Sequence, residues 1–540
     1  MQDLALQQDG RMDPRRVRLC LAAIVLAALT LRCFNAMAQS RTVDRDTASF
    51  LYQAKSLVEG DVHRWFAVHT KPPVYSGLIA AGWKLGLDPI LAARLIALVA
   101  GLLVLHPAWL LMRRCGPAAP ALVGLAILAL MKEPMRCSGR CIADTTYAAI
   151  MMYGVYFFIV RGLADAKLWA FGLAGAFGGL AYLTRTEGLM LLPLGLLMLA
   201  AGAIRRKLPR RTALLGALAM LVVCLAIVSV HVAMVSMEEG RFTLRRNMGQ
   251  FMLYSAGATH EVIPSAGKGP TALEVFASHG MSMASSWLAN LWGYLSSNIT
   301  RCGGYATGAF LLAGLAAFGR KLWRWQVCQL GLGFFALSLG VLSLVEPHTR
   351  MLLGTISLTG FLMGAGLFWL NRQADKLNLP GKGRPGSEMV IPGIAIVAVL
   401  AISAVSIIKF DSYKDSQFHR AAVIIAADSE ARKMPAPRVA SSESIIAWYA
   451  RGEPVTFSDN WTLTTDHLRE FVERQKVDFL VLNAKELRNA GLDDQEMSSL
   501  PVFLKLLGKA PAFLKIIGEA PSDPRSKDTT KLFVFRVQAE

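Results

Sequence analysis

The sequence predicts a polytopic α-helical membrane protein of about eleven spans, followed by a small C-terminal α/β domain. Two observations predict the membrane part. Apolar stretches of 17 or more residues recur down to about residue 409. Of the 540 residues 54% are hydrophobic, and the mean hydropathy is +0.41. In lipid every backbone polar group must be satisfied, and a helix does this within one segment. A third observation predicts the second part: beyond residue 410 charge rises and turn residues appear. The chain therefore divides into a membrane domain, 1–409, with a first outer loop at 38–89, and a soluble domain, 410–540.

Spans are expected near 17–37, 90–111, 117–133, 141–160, 169–184, 187–204, 212–236, 305–319, 325–345, 351–370 and 388–409. Basic residues punctuate them. They gather at the N-terminus (Arg11, Arg15, Arg16, Arg18), at Arg113-Arg114, from Arg161 to Lys167, from Arg205 to Arg211, at Arg320-Lys321 with Arg324, and from Arg372 to Arg384. Two spans separate each neighbouring pair of basic loops, as they must if all these loops are cytoplasmic. The positive-inside rule then puts the N-terminus in the cytoplasm and the C-terminal domain outside, and a plasma (inner) membrane is the expected location. The first apolar run is expected to be a retained span rather than a cleaved signal peptide. Residues 169–204 have basic loops at both ends, so they form a hairpin with its tip at Tyr182–Gly188 on the outer face.

In the tail, residues 438–458 read strand, helix, strand; residues 468–483 read helix, then buried strand; and Lys531–Val537 reads as another strand. Residues 501–520 hold a near-duplication, PVFLKLLGKA followed by PAFLKIIGEA, expected to be a local helix repeat.

Charge and cysteines exclude some classes. The net charge of +19 sits in short inter-span loops, not in a basic stripe with interleaved aromatics, so nucleic acid is not an expected partner. The eight cysteines are scattered, several within apolar spans, without CxxC spacing. Cys137 and Cys141, four apart, could face each other on a helix, but buried thiols are the simpler reading. His63, His69 and His348 lack the spacing of a zinc motif.

With this sidedness, four polar groups meet on the outer face: Asp44 and Asp46 with Lys71 and Tyr75; Arg136, Arg140 and Asp144 before span four; Arg185 and Glu187 at the hairpin tip; and Glu346, His348 and Arg350 between spans nine and ten. Ionisable residues at the margins of apolar spans are costly and tend to be functional. Singly, each has a plainer explanation. Asp46 could cap a helix over 47–59, Lys71 could be a surface lysine, and a lone arginine at a span end is commonly a snorkelling anchor. Together they suit transfer from a lipid-linked phosphate donor. A carboxylate can take the proton of an attacking hydroxyl or amine. Lys and Arg can hold the departing phosphate, one as a point charge and the other as a bidentate fork.

These motifs resemble the integral-membrane glycosyltransferases of the GT-C superfamily, in the branch with the protein O-mannosyltransferases and the lipid A aminoarabinose transferases. In that family an acidic residue in the first outer loop is followed by an aromatic four residues on and a small residue eight on; Asp46, Phe50 and Ala54 match. The resemblance implies that Asp46 is the catalytic base, with Asp44 as the alternative. Lys71-Pro72-Pro73-Val74-Tyr75 matches the family's Pro-Pro-aromatic element. Arg140 to Asp144 resembles its Arg loop with an Asp opening the fourth span. Tyr182 to Gly188 resembles Leu-Thr-Arg-Pro-Glu-Gly, with Thr186 in place of Pro. Glu346 to Arg350 resembles a late loop whose Arg lies near donor phosphate. Several members have Asp-Glu where this chain has Asp44-Arg45-Asp46, and that departure leaves the acceptor open.

The resemblance, which covers about 17–409, implies a GT-C-like membrane domain that transfers a sugar from a polyprenyl-phosphate donor. Lys71, Tyr75, Arg140, Arg185 and Arg350 would bind donor phosphate, and Asp144, Glu187, Glu346 and His348 would support them. Expected partners are the lipid-linked donor, a lipid, glycan or protein acceptor, and membrane lipids. No cofactor is expected, the lipid-phosphate sugar being a substrate, and a divalent metal stays an open addition. The competing classes are a transporter, disfavoured by the absence of an evident repeated half, and a non-catalytic scaffold or sensor displaying its C-terminal domain.

Overall fold

The computed structural model describes residues 12–38, 45–68, 71–206, 208–244, 271–303, 305–318, 326–344, 348–376, 390–409, 414–441, 445–456, 465–483, 514–520 and 532–538. Asp44 and Glu346 lie outside the described residues. The chain forms two compact units. One comprises 1–39, 53–257 and 270–409; the other comprises 40–52, 258–269 and 410–540.

The first unit is helical. Among the described residues five helices are long and apolar enough to cross a membrane: Pro14–Met37, Pro89–Cys115, Asp144–Ala164, Thr186–Ile204 and Arg210–Glu239. Ala118–Leu130 and Lys132–Ser138, bent by 52°, make a sixth if they are one span. Shorter apolar helices cover Leu168–Tyr182, Thr307–Ala317, Gln326–Leu342 and Ile391–Val405. Each predicted span thus contains a helix, and among the described residues five or six reach full length by themselves.

Four helices of the N-terminal part position the polar residues: α1 (Pro14–Ala38), α2 (Arg45–Val58), α3 (Pro73–Lys84) and α4 (Ala118–Leu130). The third predicted span is not straight. Helix α4 stops at Met131, whose ψ of 139° is extended, and α5 (Lys132–Ser138) starts in a new direction. A broken helix leaves orphan carbonyls that lipid cannot satisfy. Two side chains take them up: Arg32 Nη1 donates to Ala129 O at 2.8 Å, and Ser403 Oγ donates to Leu130 O at 2.6 Å. Arg32 is fully buried in α1 and also bonds Ser138 Oγ (3.2 Å) and Ala28 O (3.2 Å). Buried Asn35, one turn on, donates to Met135 O at 2.8 Å. Polar residues on the first span therefore hold the break in place.

Beyond α5 come α6 (Asp144–Tyr156), which continues as a π-helical stretch to Ala164, and α7 (Leu168–Tyr182). The tenth predicted span also differs. Residues 349–359 form two short 3₁₀ pieces, Thr349–Gly354 and Ile356–Thr359, before α8 (Gly360–Lys376) begins. Here Thr359 Oγ1 bonds Ile356 O at 2.7 Å and Thr355 Oγ1 reaches Leu352 O at 3.4 Å. Hydroxyls that bind nearby backbone compete with the α-helix. Helix α8 then packs very close to α4. A Cβ at Gly364 would stand 2.0 Å from Pro120 O, and one at Gly124 would stand 2.1 Å from Gly360 O. Small residues are what permit such backbone approach between membrane helices.

The second unit holds a five-stranded sheet, ordered β2-β1-β3-β5-β4: β1 Arg438–Ser441, β2 Glu453–Thr456, β3 Phe479–Asn483, β4 Leu514–Ala520 and β5 Leu532–Val537. β1 pairs parallel with β2 and β3, while β5 pairs antiparallel with β3 and β4. The strand and helix expectations for 438–483 and 531–537 hold. The helix-repeat expectation does not: Leu514–Ala520, in its second copy, is a strand with an irregularity between Ile516 and Gly518. The β-branched pair Ile516-Ile517 suits a pleated surface, and pairing with β5 overrides the local leucine pattern. Its first copy lies outside the described residues.

Candidate active site

The polar residues of α6 and the hairpin tip join in one ion network within the first unit. Asp144 opens α6, where a carboxylate also complements the helix N-terminus. Arg185 follows the end of α7 and sends a fork to two carboxylates. Its Nη1 meets Asp144 Oδ1 at 2.6 Å, and its Nη2 meets Glu187 Oε1 at 3.0 Å. Asp144 is nearly inaccessible, its side chain only 3% exposed, whereas Arg185 is 16% and Glu187 12% exposed. Residues 41 apart in sequence are thus fixed together away from bulk water, where charge-assisted bonds are strong. Gly188 makes the tip possible, because a Cβ there would stand 2.2 Å from the Ala181 carbonyl carbon.

The Lys71–Tyr75 element is tied to the same tip. Val74, an orphan donor in the first turn of α3, gives its N–H to Leu183 O at 2.9 Å. Lys71 is half-buried, and its carbonyl accepts from Gln53 Nε2 at 2.9 Å. Gln53 Nε2 also donates to Trp65 O at 2.8 Å. Tyr75, expected to face the donor, is instead fully buried and donates to Ala93 O at 3.0 Å. In this structure it fastens α3 to the next helix.

The late loop reaches the network through α6. The Thr349–Gly354 turn packs on α6, on α5 and on the short Ile299–Gly303 helix. Thr349 Oγ1 donates to Asn298 Oδ1 at 3.0 Å, and Tyr294 Oη contacts Met351 Sδ at 3.5 Å. Burial pushes the Tyr294 phenol above its ordinary range, so it stays a donor. His348 is exposed and Arg350 half-buried at this turn. Before α6, Arg136 pairs with buried Glu133 at 2.5 Å. Arg140 is half-buried in the turn that follows α5. Cys137 and Cys141 do not share a helix, since α5 ends at Ser138; Cys141 Sγ contacts Ile90 O and Cys137 Sγ contacts Glu133 Oε1, each at 3.7 Å.

Asp46 belongs to the second unit, in the first turn of α2. Phe50 and Ala54, four and eight residues on, are buried on the same face of that helix. Among the described residues no cluster of three His, Cys, Asp or Glu side chains is placed to hold a metal ion.

Tyr147, Tyr294, Asn298 and Thr349 are site neighbours that the sequence motifs did not select. Tyr147 carried a signal, since it stands three residues after Asp144 on one helix face. The contact between 294–298 and the late loop spans more than fifty residues and leaves no local trace.

Residues 70–231 match the dolichyl-phosphate-mannose-protein mannosyltransferase family. No curated protein sequence matches the chain. Among solved structures, apo ArnT from Cupriavidus metallidurans aligns with a TM-score of 0.58 at 15% identity, covering 95% of this chain and 97% of that one. The same protein bound to undecaprenyl phosphate aligns with a TM-score of 0.57. The Archaeoglobus fulgidus oligosaccharyltransferase aligns with a TM-score of 0.57 at 12% identity, covering 88% of this chain and 70% of that one. The helical membrane fold with a small C-terminal sheet domain expected from the sequence holds, and the chain shares the fold of these solved structures.

Proposed function

We propose that this protein is a glycosyltransferase that moves a sugar from a polyprenyl-phosphate donor to a lipid, glycan or protein acceptor at the outer face of the plasma (inner) membrane. The observation that carries this reading is the buried Asp144–Arg185–Glu187 network, which lies within the family-matched segment and is bonded on one side to the Lys71–Tyr75 element. The GT-C fold supports it. So do the lipid phosphates in related structures: ArnT with undecaprenyl phosphate and an archaeal oligosaccharyltransferase with a dolichol-phosphate.

In this scheme an acceptor hydroxyl or amine attacks the anomeric carbon. The bond from that carbon to the phosphate oxygen breaks, and polyprenyl phosphate leaves with the electron pair. Asp46 accepts the acceptor's proton. Lys71, Arg140 and Arg350 stabilise the departing phosphate charge. Arg185 is engaged by two carboxylates, so its first task is to hold them in place.

Donor titration tests the phosphate assignment. Arg350→Ala and Lys71→Ala should each raise the dissociation constant of a polyprenyl-phosphate sugar roughly ten- to a hundred-fold, the equivalent of a charge-assisted bond of about 1.5–3 kcal/mol. Arg350→Lys should restore part of it, because an ammonium lacks the planar fork. Equal affinity in wild type and both alanine variants would show that these cations are membrane anchors. Topology mapping tests the sidedness: a reporter at residue 450 should read as outside, and reporters at 114, 208 and 322 as inside.

A further inference from the structure

The network is rich in acceptors. Asp144 and Glu187 are two carboxylates joined by the Arg185 fork. Such a corner suits a neutral polyol, whose hydroxyls donate readily to carboxylates. Beside it stands a side chain with no assignment. Tyr147 is buried on α6, and its Oη has no hydrogen-bond partner among the described residues. Tyr147 stands three residues after Asp144 on α6, on the same helix face. Its ring is pressed against the 349–354 turn, where a Cβ on Gly354 would stand 2.8 Å from Tyr147 Cε1 and 3.1 Å from its Oη. An unpaired buried hydroxyl costs stability unless a ligand or water completes it.

We propose that Tyr147, together with the Glu187 carboxylate, binds the sugar of the lipid-linked donor, and that the Tyr147 hydroxyl donates to or accepts from a sugar hydroxyl. The assignment rests on the glycosyltransferase reading and divides its site in two. Lys71, Arg140 and Arg350 take the phosphate, while the Asp144–Arg185–Glu187 corner with Tyr147 takes the sugar. An ionised carboxylate accepts at several lone-pair positions, so Glu187 can keep its bond to Arg185 and still accept from a sugar hydroxyl. Arg185 and Glu187 are the more exposed members, and a change in their rotamers admits the sugar to the hydroxyl behind them.

Tyr147→Phe removes only the hydroxyl. Wild type and variant should be titrated with two probes, a polyprenyl-phosphate sugar and bare polyprenyl phosphate. Affinity of the variant for the sugar-bearing lipid should fall about ten-fold, with affinity for bare lipid phosphate unchanged. Melting without ligand should be unchanged or slightly higher, because an unpaired buried polar group is lost. Equal loss for both probes would make Tyr147 a phosphate ligand, and no loss for either, with a lower melting temperature, would make it a partner of buried water. Either result overturns this assignment alone. Failure of wild type to bind either lipid overturns the glycosyltransferase reading and this assignment with it.

Discussion

Two arginines in the first unit show how differently a membrane protein can keep a cation. Arg32, fully buried in α1, meets no carboxylate among the described residues; its bonds go to Ser138 Oγ and to carbonyls, one of them at the broken C-terminal end of α4. The negative end of a helix dipole and orphan carbonyls compensate its charge. Arg185 is partly exposed and held by two carboxylates. Both are held by several hydrogen bonds. Only the second has partial exposure and a neighbour, Tyr147, whose hydroxyl lacks a partner among the described residues. Burial of an ionisable group is therefore no guide to function by itself; what compensates the charge distinguishes a structural cation from a site.

Substitutions at the two positions should separate these roles. Arg185→Ala strands Asp144 and Glu187 near each other without their cation. It should cost about 3–5 kcal/mol of stability, as loss of one partner of a buried pair does, and lower turnover at least a hundred-fold, read by calorimetry and by donor consumption. Arg185→Lys should keep more stability but remain impaired, since one ammonium cannot fork to both carboxylates. Arg32→Met fills much of the same volume and leaves Ala129 O and Ser138 without the bonds that Arg32 gives them. It should destabilise by about 1–3 kcal/mol, while turnover of the folded protein stays within about three-fold. If Arg32→Met abolishes turnover in folded protein, the distinction between the two arginines fails.

A smaller effect extends the comparison to the second unit, where a neutral contact does the holding. Tyr52 donates to Gly452 O at 2.9 Å and sets its ring edge-on to Trp448 at 5.2 Å. Tyr52→Phe should cost about 1 kcal/mol, visible as faster amide exchange at Gly452 and its neighbours, with donor affinity unchanged.

The sequence revealed most where its signal is local. Apolar runs located the helices, alternating patterns located β1, β2, β3 and β5, and the spacing of Asp46, Phe50 and Ala54 matches one helix face. It failed where distant partners decide. The bend at Met131 is stabilised by Arg32 and Ser403, almost a hundred residues before it and more than 270 after it. The 349–359 stretch is apolar enough to read as a span, yet its threonine hydroxyls and flanking glycines favour 3₁₀ turns. Leu514–Ala520 reads as a helix until β5 is there to pair with it. For the site, the motifs identified Arg185, Asp144 and Glu187 individually, but their pairing emerged only from the fold. Tyr75 matched a motif and turned out to be a buried fastener.

The most direct test of the glycosyltransferase reading is single-turnover release of polyprenyl phosphate from a polyprenyl-phosphate sugar, by purified wild type and Asp46→Asn, in the presence of membrane acceptors. The substitution keeps the size of the side chain and removes the charge that would take the acceptor's proton. Release by wild type, loss of at least a hundred-fold in Asp46→Asn, and nearly equal donor affinity in the two proteins are predicted. Wild-type release that Asp46→Asn matches would contradict the assignment of the base, and no release by wild type from any polyprenyl-phosphate sugar would contradict the glycosyltransferase reading itself.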